Sequence, residues 1–230
     1  MRLTKRVFLV AAEPSGDLLG RELVEALRHL SPTTQLQGIG GSEMAAVGLK
    51  SDIDTSPLSV LGFFEGLKAY SKVVALADAA ADEIIAANPD AVVLIDSWGF
   101  MLRVAQRVRN RNSSIRLIKL IGPQVWATRA GRAKTLANTV DHLLAMFEME
   151  LPFYEPHGLK TTVIGSPALG RTLRGDAGSF RAKYNISHEK EILLVLPGSR
   201  HGEIKRVAPA LVSAAERVKA AMPDLSLIHI

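Results

Sequence analysis

Ala91-Val-Val-Leu-Ile-Asp-Ser-Trp-Gly-Phe-Met-Leu-Arg-Val-Ala-Gln-Arg-Val-Arg-Asn-Arg-Asn-Ser-Ser-Ile-Arg-Leu-Ile-Lys-Leu-Ile121 decides the fold. Residues 91–95 are apolar without interruption and run straight into Asp96. A helical pattern follows over 99–111, and a second apolar, β-rich run covers 115–121. Short continuous apolar runs read as strands buried on both faces, the habit of a parallel sheet. Two of them joined through a helix form a right-handed crossover unit.

The same alternation extends in both directions. Strand-like runs occupy 7–12, 36–39, 142–145, 161–164 and 192–196, and helical patterns occupy 18–30, 68–87, 130–138 and 204–221. This predicts an α/β protein with a doubly wound, Rossmann-like domain over residues 1–167. A Gly- and Arg-rich stretch over 168–179 reads as a linker. Residues 180–230 read as the start of a second Rossmann-like domain, with 225–230 patterned as one more strand. A lone strand–helix–strand unit cannot bury its own sheet faces, so this second domain reads as incomplete.

Composition narrows the function classes. Of the 230 residues 47% are apolar, enough for a sizeable core. The net charge of +5 suits anionic partners, but no RNA-binding signature or zinc-finger spacing accompanies it, so nucleic acid is not expected. With no cysteine, disulfides, thiolate metal sites and Cys nucleophiles are excluded. The six histidines form no pair at metal-binding spacing, so no metal is expected. The apolar run near the N-terminus is short and meets Glu13 and Asp17 at once, which favours a first strand over a signal peptide. No stretch is long and apolar enough to span a bilayer. The expected location is therefore cytoplasmic, with any membrane contact peripheral.

In open α/β sheets ligands bind outside the carboxyl ends of the strands. Four loops sit at such ends. In Glu13-Pro-Ser-Gly-Asp17, Ser15 or Asp17 can cap the helix, Gly16 permits close backbone approach, and Glu13 has no evident structural task. An ordinary capped turn is the alternative there. Gly38-Ile-Gly-Gly41 brings Gly40 and Gly41 to a tight turn or a close ligand. Asp96 is a half-desolvated carboxylate at a strand end, a candidate general base or else a helix cap. Leu196-Pro-Gly-Ser-Arg200 offers the backbone N–H groups of Gly198 and Ser199 and the planar fork of Arg200, which suits a diphosphate.

Two further stretches stand out. Ile118-Lys-Leu-Ile-Gly-Pro-Gln-Val-Trp-Ala-Thr-Arg-Ala-Gly-Arg-Ala-Lys134 places Trp126 before Arg129, Arg132 and Lys134 on the first turns of a predicted helix. Positive side chains at a helix N-terminus predict a phosphate site; a buried Trp beside a solvated basic helix is the alternative. In Leu58-Ser-Val-Leu-Gly-Phe-Phe-Glu-Gly-Leu-Lys-Ala-Tyr70, the cluster of Leu61, Phe63, Phe64, Leu67 and Tyr70 beside Lys68 suits a membrane interface or an acyl groove, with plain core packing as the alternative.

These motifs occur together in one order: Glu13-Pro-Ser-Gly-Asp17, Gly38-Ile-Gly-Gly41 with Met44 and Gly48, Leu58-Ser-Val-Leu-Gly62, Ile95-Asp96, Pro123-Gln-Val-Trp126 through Arg132, Pro152-Phe-Tyr-Glu155 and Leu196-Pro-Gly-Ser-Arg200. In that order the chain resembles bacterial lipid-A-disaccharide synthase, an inverting glycosyltransferase. The resemblance implies two Rossmann-like domains of GT-B type facing a cleft. It also implies the condensation of UDP-2,3-diacylglucosamine with 2,3-diacylglucosamine 1-phosphate, giving lipid A disaccharide 1-phosphate and UDP. No metal or other cofactor is implied. Peripheral attachment to the inner face of the cytoplasmic membrane is implied, as is a homodimer in at least some members.

Carried onto this chain, the resemblance makes Asp96 the base for the acceptor hydroxyl, with Glu13, Ser15 and Asp17 at the cleft floor. Gly198, Ser199 and Arg200 would face the diphosphate. Trp126, Arg129 and Arg132 would lie near the acceptor and its phosphate, and Phe63, Phe64 and Leu67 near lipid. Family members extend further than this chain, which implies an inactive fragment. The chain departs from the family pattern at Ala12, Trp98 and Gly165-Ser-Pro167. The rival readings are another UDP-sugar glycosyltransferase or epimerase of this architecture, and a non-catalytic lipid- or nucleotide-binding module.

Overall fold

All the expected strands form in the computed structural model, which describes residues 5–55, 58, 66–170, 175–198 and 201–229. The contacts divide the chain into two compact units, Met1–Arg171 and Thr172–Ile230. In the first unit six strands make one sheet: β1 (Arg6–Val10), β2 (Gln35–Ile39), β3 (Ala91–Ile95), β4 (Arg116–Leu120), β5 (His142–Ala145) and β6 (Thr161–Val163). Their order is β2-β1-β3-β4-β5-β6, and every pairing is parallel.

Side chains alternate across this sheet as the pleat demands. Phe8 and Val10 of β1, with Val92 and Leu94 of β3, enter a core shared with α3 (Gly66–Ala87), α4 (Trp98–Arg111) and α5 (Arg132–Ala137). Leu9 and Ala11, with Val93 and Ile95, face the opposite layer, formed by α1 (Pro14–Leu30) and α2 (Ser42–Ala46). Helix α3 turns Ala77, Ala80, Ala81 and Ile84 inward, and small residues at this spacing let α4 pack closely through Met101, Val104, Ala105 and Val108. Both faces are buried at the centre of the sheet, and β3 is accordingly apolar along its whole length.

The strand order reverses between β1 and β3. The chain leaves β1 toward β2 on one side and builds β3 to β6 on the other. At such a switch point the flanking loops diverge and open a crevice at the carboxyl ends. Helix α1 starts earlier than the expected residue 18, with Glu13 and neither Ser15 nor Asp17 at its N-cap, and its first turn and the turn at Asp96 both open onto the crevice.

A one-turn helix, α6 (Leu151–Tyr154), follows β5 in the first unit, and the second unit contains α7 (Ala177–Lys183), β7 (Ile192–Val195), α8 (His201–Ala221) and β8 (Ser226–His229). Strands β7 and β8 pair in parallel through α8. Leu194, Val212 and Leu227 of this unit are exposed. In the stretch expected as a linker over 168–179, the described residues include the end of a 3-10 turn at Pro167–Gly170 and the start of α7. The reason is local: the Asp176 carboxylate accepts from the N–H groups of Gly178 at 3.0 Å and Ser179 at 3.2 Å, converting a Gly/Ser-rich run into a capped helix. Among the described residues no helix is long and apolar enough to cross a membrane.

Candidate functional site

The turn leaving β3 is strained. Asp96 and Ser97 both take left-handed backbone angles, φ 49° and 39°. Two consecutive non-glycine residues in that region persist only when their surroundings hold them. The Asp96 N–H donates to the Leu120 carbonyl at 2.9 Å, and the Met101 N–H to the Ser97 carbonyl at 3.0 Å. Lys119, from β4, lies beneath and is 2% exposed. Its ammonium donates to the carbonyls of Leu94 and Leu120, each at 3.2 Å, and to that of Asp96. Above the turn, the Asp96 carboxylate accepts from the Ser15 hydroxyl at 3.4 Å.

Burial pushes the Lys119 ammonium down from 10.5 to about 7, against the opposing pull of Asp96. The unfolded chain keeps this proton up to its ordinary value, while the folded chain loses it near 7. Between the two, the unfolded state binds more protons, so folded stability should rise with pH across that window. Lys119→Met should flatten this slope, read as urea midpoints at about pH 7 and about pH 9.

A cavity of ≈ 620 Å³ opens at the carboxyl ends of β1, β3, β4 and β5, lined by Ser15, Asp96, Trp98, Trp126, Arg132 and Phe147 among others. Arg132 stacks on Trp98, its guanidinium carbon 5.4 Å from the ring centroid. Trp126 is 41% exposed at the wall. In the loop after β5, the buried Glu150 carboxylate accepts the N–H groups of Met146 and Phe147, both at 3.0 Å. Burial raises its pKa above the usual carboxylate range. The Tyr154 hydroxyl donates to the Pro123 carbonyl at 3.3 Å and pins the Gly122–Pro123 turn from below. The sequence reading missed Lys119, Trp98 and Glu150. Its one usable signal was a lysine inside an apolar strand.

The helix expected over 130–138, at whose N-terminus the sequence predicts a phosphate site, starts later. Helix α5 begins only at Arg132 and is 6 residues long. Its opening amides are already engaged: the N–H of Arg132 donates to the carbonyl of Arg129 at 2.9 Å, and that of Ala133 to the carbonyl of Ala130 at 3.0 Å. Arg129 precedes the helix at φ 55° and does not line the cavity. Arg132 is thus the cation brought to the pocket, held there by Trp98.

A second cavity, of ≈ 810 Å³, lies toward β2 and is lined by Glu13, Asp17, Gly40 and Gly41 among others. The expected site residues therefore separate into two groups, Ser15, Asp96, Trp126 and Arg132 in one cavity and these four in the other. Asp17, expected at the cleft floor and among the catalytic residues, has a structural task here. It is 5% exposed, and its oxygens accept from the N–H groups of Gly41 at 2.8 Å, Glu43 at 2.8 Å and Met44 at 3.2 Å. It anchors the β2–α2 loop. The two glycines follow from that anchor: a Cβ on Gly40 would lie 2.8 Å, and one on Gly41 2.7 Å, from an Asp17 carboxylate oxygen. Gly16 packs beside the Ile95 carbonyl and the Asp96 Cβ, bringing α1 close to the Asp96 turn.

Gly198, three residues beyond the end of β7, takes φ 107° in the second unit. Ser199, Arg200, Leu61, Phe63 and Phe64 lie outside the described residues, as does the side chain of Leu67. Tyr70 is 56% exposed, with the Arg103 guanidinium 5.3 Å from its ring centroid.

Fold and site together define a doubly wound α/β protein with its polar groups gathered at the switch point, followed by elements of a second unit of the same kind. The S. aureus MnaA–UDP co-structure shares this fold, with a TM-score of 0.67 at 15% identity, covering 98% of this chain and 61% of that one. The lipid-A-disaccharide synthetase family model matches residues 7–229, and the chain belongs to that family. It is 37% identical over 224 residues to the lipid-A-disaccharide synthase of Paramagnetospirillum magneticum, covering 96% of this chain and 57% of the relative. The synthase of Ruegeria pomeroyi is likewise 37% identical, over 97% of this chain and 56% of its own length. The chain thus spans little more than half the length of these curated relatives.

Proposed function

We propose that this chain carries the acceptor-side half of an inverting glycosyltransferase that joins UDP-2,3-diacylglucosamine to 2,3-diacylglucosamine 1-phosphate. The observation that carries this reading is Asp96: a carboxylate at the switch-point crevice, in a family named for the disaccharide it makes. In the proposed step the acceptor's 6-hydroxyl attacks the anomeric carbon of the donor sugar. Asp96 takes the hydroxyl proton, the bond from C1 to the diphosphate oxygen breaks, and UDP leaves with that electron pair.

Inversion requires attack opposite the departing diphosphate, so that base and diphosphate site lie across the sugar. Gly198, Ser199 and Arg200 are the groups assigned to the diphosphate. Arg132, fixed on Trp98, and Trp126 are assigned to the phosphorylated acceptor, with Arg129 nearby. Glu13 and Gly16 shape the crevice floor. Leu61, Phe63, Phe64, Leu67 and Tyr70 are assigned to acyl chains or the inner face of the cytoplasmic membrane, where the net charge of +5 favours anionic lipid. A homodimer is part of this reading. A metal or other cofactor is not.

The test is a transfer assay with these two substrates, run on this chain and on one extended to the length of its relatives. Disaccharide formation by the extended chain alone supports the reading. No transfer by either, with both folded, removes the substrate assignment and leaves the family and the fold.

A further inference from the structure

We infer that Lys119 is a positioning residue for Asp96, its buried ammonium clamping the strained turn that presents the carboxylate to the cavity. The inference rests on reading Asp96 as the base. Its physical ground is separate from that reading. An ammonium has three N–H donors and no acceptor. Here they meet the carbonyls of Leu94, Asp96 and Leu120, which come from the last turns of two neighbouring strands. Leu94 and Lys119 are register partners in the β3–β4 ladder, so the side chain reaches along the sheet toward the strand ends. The clamp closes on the residue where regular β geometry fails, since Asp96 and Ser97 turn left-handed immediately above it.

A lysine 2% exposed inside a parallel sheet is otherwise hard to account for. An apolar residue would fill the space without desolvating a charge. Lysine adds a donor to the carbonyls of Leu94, Asp96 and Leu120, the last of which also accepts the Asp96 N–H, and it places a positive charge near the carboxylate. Asp96 is the charged side chain recorded as acting on this ammonium, and it favours the protonated form. The clamp is therefore coupled to the group it positions. Protonated, Lys119 fills all three bonds; as the neutral amine it has one donor fewer.

The 230-residue chain tests this without any substrate. The Lys119 side chain is followed by NMR through a pH titration, together with the Cα and Cβ shifts of Asp96 and Ser97, which report backbone conformation. The expected midpoint is about 7, with the turn's shifts moving in step. Asp96→Asn should lower that midpoint, because it removes the charge that favours the ammonium. That shift reports the charge coupling of the two groups, while the Asp96 and Ser97 shifts report the clamp; a lysine that did not hold the turn would leave those shifts flat as it titrates. Turn shifts that stay flat through the Lys119 transition would overturn the inference. In the extended protein, Lys119→Met should reduce kcat about tenfold or more with KM little changed, because a misaimed base slows the proton transfer and not acceptor binding. A kcat equal to wild type would also overturn it. Absence of transfer from the wild-type extended protein would count against Asp96 as base, and the titration would still decide the clamp.

Discussion

Asp96→Asn in the chain extended to the length of its relatives should lower kcat by about 10²–10⁴-fold and leave acceptor KM within about threefold. Asparagine is the informative replacement for three reasons. It matches the carboxylate in shape and still accepts the bond from the Ser15 hydroxyl. It tolerates the left-handed angle of φ 49° better than most residues, so the turn survives. It cannot take a proton from a sugar hydroxyl. Asp96→Ala would remove the base but also load strain onto the turn, confusing two causes. Ser15→Ala provides the comparison: it removes one 3.4 Å contact to the carboxylate and should cost far less rate. Measured by initial rates at saturating substrate, a kcat for Asp96→Asn within a factor of about three of wild type would remove Asp96 from the chemistry.

The sheet was legible because burial on both faces leaves a plain signal. The apolar run at 91–95 is both the predicted strand and β3, and the helix expected over 99–111 is α4 with one residue added. The sequence placed Asp96 at the carboxyl end of a strand; that this end lies at the switch point emerged from the strand order. What stayed hidden was decided by partners distant in sequence. Asp17 reads as a carboxylate in a ligand loop until its oxygens are seen to receive amides 24 to 27 residues away. Arg129 and Arg132 look equivalent in sequence, but only Arg132 meets Trp98 and the cavity. Lys119 looked like a blemish in a strand because its acceptors belong to another strand and to a turn. Residue 176 shows the converse: an Asp before Gly and Ser is a local cap, and its signal was outweighed by the composition of the stretch around it.

Asp17→Ala should destabilise the chain by about 3 kcal/mol or more, measured by urea unfolding. The carboxylate is 5% exposed and accepts three backbone N–H groups, of Gly41, Glu43 and Met44. Hydrogen bonds to a charged acceptor contribute about 1.5–3 kcal/mol each, although shared ones do not add in full. Alanine would leave those amides without their acceptor, beside glycines whose missing Cβ atoms made room for it. Asparagine would fare little better than alanine. One of its two faces is an amide donor, so at least one N–H would meet another donor. Folding and activity together assign the residue. If transfer in the extended protein falls only as far as the folded fraction falls, Asp17 acts through the loop that it anchors. If Asp17→Asn stays as stable as wild type to within about 0.5 kcal/mol and yet loses transfer, the anchor account fails and the carboxylate returns to the catalytic group.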